Sequence, residues 1–146
     1  MDGIVFLDAN ILVYAANKDS PYHADAKRVI EQINAGEIES CLSSQVLAEF
    51  YATVTSPKKM SQPLNSREAA EAVEGYLESH ITKFYVRENT LMLALELTKR
   101  YRIRGLGFFD AQIVATMLEN GVRTIYTANE EDFRRFEEIE VVNPLK

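Results

Sequence analysis

The chain has no tryptophan, one cysteine, four prolines and six glycines among its 146 residues. The single thiol, Cys41, excludes a disulfide scaffold and any zinc site built on cysteines, and it suits a reducing, cytoplasmic setting. Cations are in deficit: Lys+Arg 16 against Asp+Glu 22 leaves a net charge of −6. This balance excludes a globally basic nucleic-acid binder held by counterion release, but not a nucleic-acid enzyme that recruits its own cations. No apolar run approaches the roughly 18 residues of a membrane span, so no membrane association is expected. Met1-Asp2-Gly3 carries no basic stretch ahead of the short apolar run Ile4–Leu7, and no signal peptide is expected either. Repeats and low-complexity tracts are absent as well.

The chain is 47% hydrophobic and 26% charged. At this length a single domain over residues 1–146 can bury about 70% of its unfolded surface and needs no metal or disulfide to fold. Ile4–Leu7 is continuously apolar and ends at Asp8, as in a strand buried on both faces. Asn10–Ala16 reads as a short helix. Ser20-Pro21 is an expected start, cap then first residue, for a helix that stops near Gly36. Ile38–Leu42 is the second strand, and Ser43 or Ser44 can cap a helix over Gln45–Thr55. The segment 56–63 is a Pro-flanked loop with Met60 expected exposed at its tip. A helix from Ser66 follows, read without a capping box. Next come a strand at Phe84-Tyr85-Val86, a helix over Glu88–Tyr101 and an apolar helix from Phe109 to Asn120, stopped by Gly121. Arg123–Tyr126 and Val141-Val142 supply the last strands. Strands alternating with helices predict an α/β fold with a mostly parallel sheet covered on both faces.

In such a sheet, ligands sit beyond the carboxyl ends of the strands. Asp8 follows the first strand, Asp110 opens the apolar helix, and Asp132 lies after the fourth strand. Glu49 stands on the helix after the second strand, in Val46-Leu47-Ala48-Glu49-Phe50. Ordinary local roles exist for three of them. Asp8 and Asp110 suit helix starts, and Asp132 belongs to an acidic run with Glu130 and Glu131. Glu49 is harder to place so, because a buried glutamate without a partner is costly. Four carboxylates at one mouth would repel one another unless a cation neutralised them. Oxygen-only ligands suit Mg²⁺ or Mn²⁺ rather than zinc, and such an ion favours phosphodiester hydrolysis.

Four segments carry a family resemblance: Phe6-Leu7-Asp8-Ala9-Asn10, Leu42-Ser43-Ser44 through Glu49-Phe50, Phe109-Asp110-Ala111-Gln112-Ile113, and Tyr126-Thr127-Ala128-Asn129 through Asp132-Phe133. In this order, over roughly residues 4–143, the chain resembles the PIN-domain ribonucleases, and among them the VapC-like toxins of toxin–antitoxin pairs. The resemblance implies a PIN-like three-layer α/β/α sandwich with four to five strands and a Mg²⁺- or Mn²⁺-dependent endoribonuclease. It implies Asp8 and Asp110 as the principal metal-binding acids, Glu49 as the third and Asp132 as the fourth. Asn129 stands where many relatives carry an acid, so positions 129 and 132 both remain open for that role. Asn10 and Thr127 match polar positions that hold the site by hydrogen bonds. The implied reaction is in-line attack of water on an RNA phosphate, and the implied partners are a cognate antitoxin and a second copy of the chain in a homodimer. A PIN-like binding module without strong catalysis, or an RNA-processing nuclease without an antitoxin, are the alternatives.

Lys99, Arg100, Arg102 and Arg104 put four cations into six residues before Asp110 and are the candidate RNA-binding arm, with Gly105 and Gly107 allowing close backbone approach. A solvated helix end explains the same run equally well. Lys58 and Lys59 are secondary candidates of the same kind. Tyr14, Tyr51, Phe108 and Phe109 can stack on bases, although core packing is the expected fate of most.

Overall fold

The structure, a computed structural model, describes residues 3–146; Met1 and Asp2, part of the segment read for a signal peptide, lie outside it. Five short strands, β1 (Val5–Leu7), β2 (Ser40–Ser43), β3 (Thr82–Phe84), β4 (Thr124–Tyr126) and β5 (Glu140–Val142), form one sheet in the order β3-β2-β1-β4-β5. Every pairing is parallel. The helices are α1 (Ala9–Ala16), α2 (His23–Asn34), α3 (Ser44–Val54), α4 (Ser66–Glu78), α5 (Glu88–Tyr101), α6 (Gly107–Glu119) and α7 (Glu130–Arg134). The expected α/β/α sandwich is therefore present, with five strands.

Strand β1 is central, and Val5, Phe6 and Leu7 are all buried, as a parallel strand covered on both faces requires. Strand order turns about β1: β2 and β3 build outward on one side, β4 and β5 on the other. The crevice beyond the carboxyl ends of β1 and β4 is thus the switch point where an open α/β sheet binds ligands. Helix α6 lies against the core along nearly its whole length, with Ala111 through Met117 buried. It stops at Gly121, whose φ of +72° suits a residue without a side chain.

Several local expectations are corrected. Ser20 does not cap α2: its Oγ accepts from the Tyr22 amide in a turn, and the helix begins at His23. Strand β2 starts at Ser40, two residues later than expected. Strand β3 is Thr82–Phe84, set by pairing with Cys41–Ser43, and Tyr85 lies beyond it, exposed. Edge strands bury too little for an apolar pattern to mark their ends. Met60 is buried, not exposed, because the loop folds back on the core. Helix α4 does have a capping box, one residue earlier than the reading from Ser66: Asn65 Oδ1 accepts from Glu68 N at 2.8 Å while Glu68 Oε1 accepts from Asn65 N at 3.0 Å. Asn65→Ala is expected to cost about 1 kcal/mol, read as a lowered thermal midpoint.

Candidate active site

Asp8 is placed by β1, whose end leaves it as the N-cap of α1 with extended backbone. Its Oδ1 accepts from Ala9 N at 2.8 Å, and its Oδ2 accepts from Thr127 Oγ1 at 2.7 Å and Asn10 Nδ2 at 3.1 Å. Thr127, fully buried after β4, also accepts from Asn10 Nδ2 at 3.2 Å and from Asn129 N at 2.9 Å. Asn10 Oδ1 accepts from Ala128 N at 3.0 Å. The three polar side chains thus lock the ends of β1 and β4 together and orient one carboxylate. Asp8 thus both caps α1 and lines the cavity at the end of the sheet.

Asp110 lies in the first turn of α6, and Glu49 lies one turn into α3. Asp110 faces Arg135, whose Nη2 is 3.7 Å from its Oδ2. A chain of amides links the two helices: Gln112 Nε2 donates to Gln45 Oε1 at 2.7 Å, and Gln45 Nε2 donates to Glu49 Oε2 at 2.8 Å and to Phe109 O at 3.0 Å. Neither glutamine stands out in the sequence. Gln45 lies four residues before Glu49, and Gln112 is, with Thr116, one of two polar residues among the buried positions of α6, which is the signal each offers.

The four acids act on one another. Burial pushes the Asp110 carboxyl up to about 7; the charges of Asp132 and Asp8 add to this, Arg135 opposes it, and Glu49 raises it further. Asp8 is also raised, chiefly by burial, against the lowering bonds from Thr127, Ala9 and Asn10 and with Asp132 adding to the rise. Burial raises Glu49, the Gln45 bond lowers it, and the Asp8 charge raises it. Asp132 is exposed on α7, yet its charge reaches Asp8 and Asp110, whereas Asn129 is the N-cap position of α7. An open cavity of about 730 Å³ is lined by Asp8, Asn10, Tyr14, Glu49, Lys59 and Asn129, among others. That volume is of ligand size.

This donor set fits a hard divalent cation. All the groups are oxygen acids, their mutual repulsion is relieved by positive charge, and both histidines are engaged elsewhere, His23 with Tyr14 O and His80 with Ile33 O. Among the described residues no three acids already close on a single point, since Glu49 is drawn to Gln45 and Asp110 faces Arg135.

The cationic run is not gathered here. Lys99 pairs with Glu96 at 3.8 Å, Arg100 binds Glu138, Arg102 is the left-handed C-cap of α5, and Arg104 is exposed; none of the four borders the cavity. Lys59 does border it. Of the aromatic candidates, Tyr14 lines the cavity, Tyr51 and Phe108 are half-buried, and Phe109 is exposed, contrary to core packing.

Comparison with known proteins agrees with this fold. The family model for the PIN domain matches residues 5–139. Ribonuclease VapC24 of Mycobacterium tuberculosis is 30% identical over 143 residues, covering 95% of each chain. Ribonuclease VapC48 of the same organism is 29% identical over 139 residues, covering 94% of this chain and 95% of its own. Among solved structures, Mycobacterium tuberculosis VapC20, described as a Sarcin-Ricin loop cleaving toxin, superposes with a TM-score of 0.70 at 22% identity, covering 93% of this chain and 98% of its own. VapBC2 of Rickettsia felis, bound to a DNA fragment from its promoter, also gives 0.70 at 23% identity, covering 97% and 98%. With a family model matching residues 5–139 and a five-stranded parallel sheet in the order β3-β2-β1-β4-β5, the chain belongs to the PIN domain family.

Proposed function

We propose that this chain is a Mg²⁺- or Mn²⁺-dependent endoribonuclease, acting through a single domain over residues 1–146 as the toxin of a toxin–antitoxin pair. The observation that supports the reading is the mutual electrostatic coupling of Asp8, Glu49, Asp110 and Asp132 at the carboxyl end of the sheet. Repelling carboxylates, with Asp8 buried and Glu49 and Asp110 half-buried, cost folding stability and make sense as a receptor for a cation. Asp8 and Asp110 would hold the ion, with Glu49 and Asp132 beside it. When bound, the divalent ion supplies charge neutralisation for the phosphate and acidifies water for attack. Thr127 and Asn10 donate to Asp8 and keep its second oxygen oriented, and Gln45 sets the rotamer of Glu49.

Partners follow from the relatives, several of which are known as toxin–antitoxin complexes. An antitoxin is accommodated by the apolar groove between α3 and α4, lined by Leu47, Ala48, Tyr51, Val73 and Leu77. A homodimer is favoured by Leu91, Met92 and Leu95, exposed along α5. Among the described residues no helix is long and apolar enough to cross a membrane. The test is cleavage of RNA by the purified chain in Mg²⁺ or Mn²⁺, repeated with chelator and with Asp8→Asn. Metal-dependent cutting lost in both controls is expected. Equal cutting in all three arms means a contaminant, and absence of cutting on diverse RNAs defeats the reading.

A further inference from the structure

The cation beside the acids is not one of the run Lys99–Arg104. Arg135 is the C-cap of α7 and sits beside Asp110, against Phe136 and next to Gly107. Its guanidinium carbon lies 5.3 Å from the centroid of the Phe136 ring, and Phe136 is itself fully buried against Tyr101 in an edge-on contact at 5.2 Å. The platform is therefore rigid, and the guanidinium gains cation–π attraction from it. On another side, space is reserved. A Cβ at Gly107 would come to 3.0 Å from Arg135 Nη2 and 2.9 Å from Ile103 Cγ2, so a side chain at 107 would crowd the guanidinium and Ile103 and make them shift. The third contact is Asp110 at 3.7 Å, an ion pair too long for a hydrogen bond.

Neighbouring arginines are used differently. Arg134 donates to Glu130 at 2.6 Å, and Arg100 binds Glu138 directly. A guanidinium whose purpose was to neutralise Asp110 would close into the same kind of bond, because a forked pair is the stronger arrangement. Arg135 instead stands off, 40% exposed, with its donor edge unspent on the carboxylate it faces. A planar, always-charged fork standing beside Asp110 matches phosphate geometry.

The geometry points to Arg135 as a catalytic residue that touches substrate. It donates to a non-bridging oxygen of an RNA phosphate at the acidic cluster, while Asp110 is engaged by the divalent ion. This inference deepens the nuclease reading and rests on it for the reaction, though not for RNA binding. Gly107 is the positioning residue that makes room for it.

The test uses a short single-stranded RNA of mixed sequence and the full chain. In an Asp8→Asn background, which leaves the RNA uncut, adding Arg135→Gln is expected to weaken binding about tenfold at low salt. It is also expected to flatten the slope of log affinity against log salt by about 0.7, the value for one lost phosphate contact on a single strand. A merely structural role does not move that slope. In the otherwise unaltered chain, Arg135→Gln lowers kcat/KM about tenfold or more, and Arg135→Lys recovers part of the loss by keeping the charge without the fork. Mn²⁺ titrated without RNA binds at least as tightly to Arg135→Gln as to the parent, since a competing cation has gone. Unchanged salt slope with unchanged kcat/KM overturns the proposal, and so does weakened Mn²⁺ binding, which would make Arg135 a support for the metal site. Should the parent chain bind RNA with the predicted slope change yet cut none, the nuclease reading fails and the phosphate contact stands.

Discussion

Asp110→Asn is expected to lower metal-dependent RNA cleavage by about 10²–10³-fold or more while raising the melting temperature of the chelated protein. Both effects have one cause. Asp110 is held near the charges of Asp132, Asp8 and Glu49, and among the described residues its carboxylate accepts no hydrogen bond that the amide would forfeit. Removing the charge takes away a metal ligand and a repulsion together. The loosened contact to Arg135 costs little, as a partly exposed ion pair contributes about 0–1 kcal/mol. Asp8→Asn should abolish cleavage equally but gain no stability. Its two oxygens accept from Ala9, Asn10 and Thr127, and an amide nitrogen there would meet a donor instead of an acceptor. Thermal melts in chelator, with circular dichroism to check the fold, separate the two variants. A clear fall in melting temperature for Asp110→Asn would falsify the account of the cluster as electrostatically strained.

The second large effect is on the pH dependence of the metal-free chain. The Asp110 carboxyl, ordinarily near 3.8, is raised to about 7 in the folded protein. Below about pH 4 it is protonated whether the chain is folded or not, and its burial costs nothing. As pH rises from about 4 to 7, the unfolded chain releases the proton and the folded chain keeps it, so stability falls. Above about 7 the loss is complete, on the order of a few kcal/mol, which for a chain of this size is about 5–10 °C in melting temperature. Asp8 and Glu49 are raised as well and act in the same direction. The chelated protein should therefore melt higher at pH 5 than at pH 8, against the usual trend for salt-bridged carboxylates. Excess Mn²⁺ at pH 8 should restore most of the difference, and Asp110→Asn should flatten the profile. A chelated profile that rises from pH 5 to 8 would contradict the raised carboxyl.

Much of this site was legible along the chain because its parts obey local rules. An apolar run ending in Asp8 marks the end of a buried strand, and the apolar periodicity after Asp110 marks a helix whose first turn carries an acid. The matched order of four such segments supplied the family. Other parts were hidden because the deciding interactions are not local. The capping box of α4 reads one residue off unless Asn65 is known to precede the first helical turn. Strand β3 takes its register from Cys41–Ser43 rather than from its own side chains, and the burial of Met60 depends on where its loop folds back.

The residues between the acids show the division most clearly. Gln45 and Gln112 meet from 67 positions apart, and Arg135 reaches Asp110 from 25 residues downstream. Patterning of apolar residues was sufficient by itself for an α/β class with a parallel sheet covered on both faces, since burial and helix or strand periodicity are properties of short segments. Which cation faces those acids was decided only in three dimensions. The run Lys99–Arg104 has the higher charge density, but Lys99 and Arg100 are spent on Glu96 and Glu138 and none of the run borders the cavity, whereas Lys59 does and Arg135, packed on Phe136, stands beside Asp110. Charge counts along a chain carry no direction, and an ion pair depends on distance.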